Sequence, residues 1–285
     1  MSLKASAAIA FVGIVTLLCT PGAGASECPR SPFRTNRTAI IAHASGDYFG
    51  PPNTIEMMAA AVKAGADFID VDVRVTSDGV LVAAHDDTIA EPGAKGLSIA
   101  KTTYARLREI DLGDLWAGPR KDFPLKGKHV RVPTIEQILR RFPHRRIGVE
   151  FKTTGGESAL CAILRRAAAT KDVFVSSAGD AAIDRFKPIC PEIETTVTDA
   201  MVVEFRTAQA RNLPWCAPVR ISQPPLSFGA TFRLDQANVD WEHAHGLAVY
   251  TWTADDLATL KLVAKLGVDG VYTARPDLAR KALRG

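Results

Sequence analysis

Residues 67–86, DFIDVDVRVTSDGVLVAAHD, are the stretch on which the reading of the chain turns. They read as two strands joined at Asp78-Gly79, because Asp-Gly is a favoured two-residue hairpin loop. A regular antiparallel register centred on that pair predicts His85 directly across from Asp72. Alternate side chains of a strand share a face, so Asp70 and Asp72 point one way while Val71 and Val73 point the other. A single aspartate near a strand end ordinarily caps a turn. Two carboxylates and an imidazole aimed at one spot point instead to chemistry.

Working outward, residues 38–42 (TAIIA) read as a first strand that stops at His43. A Gly/Pro-rich loop follows, and then a helix from Asn53, with Glu56 three residues on in the manner of a capping box. Regular alternation breaks over about 74–132, which reads as an insertion lying over one end of the domain. Helices and strands then alternate again, beginning with a helix at 134–142 and a strand at 147–152. Setting the hairpin return aside, eight strands remain, most followed by a helix. That grammar predicts an α/β fold, a (β/α)8 TIM barrel with a small insertion after the second strand. An open doubly wound sheet is the alternative, but no Gly-rich nucleotide fingerprint follows the first strand. Lys63-Ala-Gly-Ala-Asp67 before the second strand is echoed by Lys265-Leu-Gly-Val-Asp269 before the last, as repeated helix/strand units require.

The first 25 residues read as a secretory signal peptide: Lys4, an apolar run over 5–18, then Pro21 and Ala23-Gly24-Ala25. Residues 26–285 would form one domain, of ordinary size for such a barrel. The apolar run is short for a transmembrane helix and no other stretch is longer, so stable membrane insertion is not expected. The expected location is exported, periplasmic or extracellular. With 47% hydrophobic residues the chain can fill a sizeable core, and a net charge of +4 is too mild to argue for nucleic acid as a partner. Cys28, Cys161, Cys190 and Cys216 follow the leader; an even number permits disulfides, Cys161 with Cys190 first among them, against the reading of buried free thiols.

In barrels of this kind catalytic groups sit at the C-terminal ends of the strands. The polar residues so placed are His43, Asp70, Asp72, Glu150, Lys152 and Trp252, with Arg220 mid-way along a later strand. In 147–152 the apolar face would pack on helices, leaving Glu150 and Lys152 to point into the mouth. Those two can simply pair with each other. Taken with Asp70 and Asp72, however, Glu150 completes an all-oxygen set suited to a hard divalent cation, Mg²⁺ or Ca²⁺. Two histidines beside such an ion suit phosphodiester cleavage, one as base and one as acid.

An ordered set of motifs carries a resemblance: IIAH ending at His43, NT at Thr54, GADFIDVD at Asp72, TSDGVLVAAHD at Asp86, VEFK at Lys152, YTWT at Thr253 and GVDGVYT at Thr273. Together they resemble the glycerophosphodiester phosphodiesterase family, over nearly all of 26–285. The resemblance implies a metal-dependent phosphoric diester hydrolase acting on glycerophosphodiesters, a small-molecule substrate. It also implies catalytic histidines at His43 and His85 and metal carboxylates at Asp70, Asp72 and Glu150. Lys152, Trp252 and Arg220 are candidates for substrate binding. The chain departs from the family pattern at three points. His43-Ala44-Ser45 stands where the family has His-Arg-Gly, Pro52 replaces the glutamate of Pro-Glu-Asn-Thr, and Asp70 is shorter than the family's Glu. Phospholipase D-type action on choline lysolipids, or a non-catalytic phosphodiester binder on the same scaffold, are the other functions such a site admits.

Overall fold

A computed structural model describes residues 28–285 apart from 47, 92, 93, 118–120, 122 and 212, so the leader read at 1–25 lies outside the described residues. Eight parallel strands form the barrel: β1 Ala39–Ala42, β2 Phe68–Val75, β3 Arg146–Phe151, β4 Val173–Ser177, β5 Glu194–Thr195, β6 Ile221–Ser222, β7 Ala248–Thr251 and β8 Gly270–Thr273. Neighbours in sequence are neighbours in space, β8 pairs with β1, and a lone parallel bridge from Thr196 to Ile221 joins β5 to β6. The helices that alternate with these strands are α1 Ile55–Ala64, α2 Ile135–Arg141, α3 Glu157–Arg166, α4 Asp180–Ile189, α5 Asp199–Arg211, α6 Gln236–Ala244, α7 Leu257–Lys265 and α8 Pro276–Arg284, and two short helices, Tyr104–Leu107 and Leu112–Leu115, lie in the insertion. No helix among the described residues is long and apolar enough to cross a membrane.

Alternation along β2 and β3 divides their side chains as a barrel demands. Ile69, Val71, Val73, Ile147, Val149 and Phe151 face the helices and pack with Met58, Leu160 and Phe186. The opposite faces turn inward. Low in the barrel the interior is filled by Phe33, Phe68, Phe174 and Tyr250. Gly148 makes room there, since a Cβ on it would come within 2.6 Å of Phe174 Cζ. Phe33 belongs to the segment that precedes β1. Its carbonyl accepts from Tyr250 Oη at 2.7 Å, and Cys28 anchors the segment through a disulfide to Cys216. The second disulfide joins Cys161 to Cys190, the pairing expected from the sequence.

The sequence echo has a physical basis. Gly65 caps α1, and Gly267 follows the Leu266 cap of α7, both with positive φ. Asp67 then accepts from the Ile40 amide at 2.8 Å, and Asp269 from the Val249 amide at 2.9 Å. Each aspartate ties its strand to the previous one at the N-terminal rim.

Three local expectations are corrected. The hairpin loop has three residues, Ser77-Asp78-Gly79, with Gly79 at φ 79°, because Thr76 Oγ1 holds both Asp78 and the Val80 amide. The capping box at Asn53 and Glu56 does not form; Thr54 is the N-cap of α1, while the reciprocal Thr134–Gln137 box starts α2. Within the insertion, where a Gly/Pro-containing loop is expected after the hairpin return, Thr88–Glu91 pairs with Ala94–Ser98; the helix expected near 103–110 is present at Tyr104–Leu107, and Val82, Ile89, Ile99, Leu107, Ile110 and Val132 form a small core.

Candidate active site

Parallel register sets the heart of the site. β2 and β3 align Asp70 with Gly148 and Asp72 with Glu150, so the inward side chains of both strands meet near their C-terminal ends. Asp70 and Asp72 are buried. Lys152 follows β3 directly, and its Nζ lies 2.6 Å from Glu150 Oε1 and 3.1 Å from Asp72 Oδ1. The pairing of Glu150 with Lys152 foreseen as the simpler reading is thus present, but the same ammonium also serves Asp72. Burial opposes the charge on Lys152, yet Asp72 and Glu150 raise its pKa on balance.

One ammonium faces three carboxylates, and Asp70 registers the imbalance. Burial, then Asp72 and Glu150, push its pKa well up, against the Ala44 amide and Lys152. Among the described residues the single trio of ligating atoms within 4.8 Å of one another is Cys161, Cys190 and Glu192, whose sulfurs are joined in a disulfide. Asp70, Asp72 and Glu150 stand wider apart than that.

The turn after β1 is shaped around Asp70. His43–Ser45 forms a 3-10 turn in which Ala44 (φ 43°) and Ser45 (φ 70°) take left-handed conformations. The Ala44 amide donates to Asp70 Oδ2 at 3.1 Å and Ser45 Oγ donates to the Asp70 carbonyl at 2.9 Å. These bonds offset part of the cost of positive φ in residues that carry a Cβ. Asn53, at φ 60°, grips Asp72 at both ends: its Nδ2 donates to Asp72 Oδ2 at 2.7 Å, and its Oδ1 accepts from the Asp72 amide at 2.9 Å. The sequence reading took this residue for a helix cap. Its offset to Glu56 suggested that role, and nothing local signals a contact across nineteen residues.

His85 reaches the site by a different route from the one expected. With the three-residue loop, Ala84 lies across from Asp72 and its amide donates to the Asp72 carbonyl at 2.9 Å. The return strand ends at Ala83, so His85 escapes the ladder's alternation. Its ring is half exposed, and Nδ1 sits 2.8 Å from Asp86 Oδ1.

A cleft of about 800 Å³ opens over the C-terminal ends of the strands and brings together His43, Asp70, His85, Glu150, Lys152 and Trp252. Asp72 lies beneath it, reaching its lining through Lys152. Arg220 is not brought to the cleft. The β6 ladder starts one residue later, and the guanidinium is turned onto the carbonyls of Ala217 (2.5 Å) and Val219 (3.1 Å) at the strand's N-terminal edge. Sequence reasoning missed Ser176, Gln223 and Tyr272 in the lining. Tyr272 accepts from Gln223 Nε2, and burial, with Asp70 and Glu150, pushes its phenol pKa up. Its alternation with Val271 in GVYT was the one available signal.

A family model described as the glycerophosphoryl diester phosphodiesterase family matches residues 43–278. A glycerophosphodiester phosphodiesterase of Bacillus subtilis is 26% identical over 291 residues, 96% of this chain and 95% of the relative. One from Caldanaerobacter subterraneus is 25% identical, across 85% and 96% respectively. Among solved structures, a glycerophosphoryl diester phosphodiesterase domain from Mycobacterium tuberculosis superimposes with a TM-score of 0.74 at 20% identity, covering 86% of this chain and 99% of the domain. A phosphodiesterase of Oleispira antarctica, solved with the product sn-glycerol-3-phosphate, gives 0.66 at 21% identity, covering 86% and 96%.

Proposed function

Since this chain belongs to the glycerophosphoryl diester phosphodiesterase family and is an enzyme of that family, we propose that its cleft hydrolyses glycerophosphodiesters to a glycerol phosphate and a free alcohol. The observation that carries this reading is the convergence of His43, His85, Glu150 and Lys152 on one cleft, with Asp70 in its lining. One imidazole takes the proton of the attacking oxygen, from water or a neighbouring substrate hydroxyl. The other returns a proton to the leaving alkoxide. With Nδ1 of His85 bonded to Asp86, Nε2 is the atom that ring offers. Lys152, kept protonated by its two carboxylates, presents positive charge to the phosphate.

Asp70, Asp72 and Glu150 fit a hard divalent ion, Mg²⁺ or Ca²⁺, by their chemistry: oxygen donors only, and more negative charge than Lys152 balances. When bound, such an ion supplies electrostatic stabilisation of the charge developing on the phosphoryl oxygens. We also read the chain as exported. The apolar N-terminal run supports this, and two disulfides suit an oxidising compartment.

Turnover of glycerophosphocholine is the direct test. The expected results are loss of activity in EDTA, its return with Mg²⁺ or Ca²⁺, and a fall of about 10²–10⁴-fold in kcat for His43→Ala and for His85→Ala. Ordinary turnover by both variants would remove the proposed acid-base pair.

A further inference from the structure

Two lysine or arginine side chains line the cleft among the described residues, and they are placed differently. Lys152 is engaged by Asp72 and Glu150. Arg206 comes from α5, two strands round the barrel from β3. Its guanidinium lies over the Phe205 ring at 4.8 Å and the Phe232 ring at 5.0 Å. Nη1 donates to Gln209 Oε1 at 3.0 Å and to Asn238 Oδ1. Asn238 is oriented by the cap of α6, because its amide and its Nδ2 both donate to Asp235 Oδ1. Two rings and two amide oxygens thus hold the guanidinium in one plane.

A guanidinium has five N–H donors in a fixed fork, and Nη1 uses two of them here. Among the described residues nothing accepts from Nε or Nη2, and neither atom is a buried orphan, so that edge is open to water. It is the edge by which arginine takes carboxylates elsewhere in this chain. Arg275 holds Asp277 through Nε at 2.9 Å and Nη2 at 2.8 Å, and Arg165 holds Glu192 through the same pair at 2.6 and 3.1 Å. Burial lowers the Arg206 pKa, against the attraction of Glu242 and Asp235, so neighbouring acids do not fully compensate its charge. Asp199, the other charged residue that α5 gives to the lining, is exposed and forms no ion pair with it among the described residues. The glycerol of a glycerophosphodiester is neutral, so a second anion on the substrate belongs to the other alcohol. We propose that Arg206 is a specificity-determining residue, taking an anionic group, a carboxylate or a phosphate monoester, on the head-group alcohol of the diester. This rests on the phosphodiesterase reading above and names its substrate class. In the net reaction the oxygen of one water bonds to phosphorus, the bond from phosphorus to the head-group oxygen breaks, and the alcohol leaves with a proton and its anion.

The test uses pairs of substrates that differ only in the anion. Glycerophosphoserine against glycerophosphoethanolamine isolates a carboxylate, and glycerophosphoinositol 4-phosphate against glycerophosphoinositol isolates a phosphate. The expected result is a kcat/KM at least ~10-fold higher for the anionic member of at least one pair, expressed in KM and weakening as salt is added. In Arg206→Gln that ratio falls toward one, and Arg206→Lys, which keeps the charge without the fork, restores part of it. Thermal unfolding of both variants is followed alongside, because the guanidinium also packs on two rings. Wild-type ratios at or below one in both pairs, or a preference that survives Arg206→Gln, would overturn the assignment. If Arg206→Gln does not fold, Arg206→Lys decides: a reduced ratio supports the assignment and an unchanged one overturns it. If no diester is cleaved, the phosphodiesterase reading fails by itself. Calorimetry with O-phosphoserine against O-phosphoethanolamine, and with inositol 1,4-bisphosphate against inositol 1-phosphate, then decides the subsite. Tighter binding of an anionic member that Arg206→Gln abolishes supports it, and equal affinities in both pairs overturn it.

Discussion

Asn53 shows how much a single side chain can settle. Its amide holds Asp72 by backbone and carboxylate together, from a left-handed conformation that asparagine tolerates better than most residues. Asn53→Ala is expected to strand a buried amide and a buried carboxylate oxygen. We expect a stability loss of about 1–3 kcal/mol by denaturant titration, with a larger proportional loss of kcat. Glu242, buried in α6, titrates with the fold. Burial raises its carboxyl pKa, against the pull of Ser222 and Arg206. A raised acid binds its proton more tightly folded than unfolded, so its cost is absent below the unfolded pKa and grows as pH rises toward the folded one. Glu242→Gln should therefore gain on wild type in Tm as pH is raised from about 4 to about 8, and a gap that stays constant would remove the assignment. At this scale the sequence was informative where residue type dictates chemistry. His43, His85, Asp70 and Glu150 were all named, and all line the cleft. It was silent where the partner lies far along the chain, as for Asn53, and it misjudged Arg220 because the strand read over 218–222 begins only at Ile221, which leaves Arg220 at the N-terminal edge, away from the cleft.

Period two and helical period three to four told which face of each element is apolar, and that is what made the elements legible. They cannot give offsets between elements, so the hairpin loop was read one residue short. The hydroxyl of Thr76, which widens the loop, acts through a contact that the strand pattern does not encode. The short ribbon in the insertion was hidden for a related reason, since strands of four and five residues are too short to show a clear period in the sequence. Within β3, Gly148 is the position where size matters most. A methyl group there meets the Phe174 ring at 2.6 Å, with Phe68 and Tyr250 packed around that ring. Gly148→Ala is expected to cost about 1–3 kcal/mol in unfolding free energy, while Gly79→Ala meets no neighbouring atom and costs only its positive φ.

The eight-fold alternation made a parallel sheet covered by helices legible as a whole, and the count of eight units with no Gly-rich fingerprint after the first strand favoured the closed barrel over an open doubly wound sheet. What alternation could not reveal is the use made of the residues before β1. Cys28 and Phe33 belong to no repeat, yet one is bridged to Cys216 across 188 residues and the other fills the base of the barrel. Replacing Cys28 and Cys216 by serine is expected to lower unfolding free energy by about 2–4 kcal/mol, visible as a lower Tm that reductant no longer changes at that bridge. Among the described residues, a barrel stoppered from below in this way leaves its C-terminal side as the open one. If the proposed hydrolysis runs there, spent product and incoming diester share the threshold at Trp252 and His85, and added product should compete with substrate.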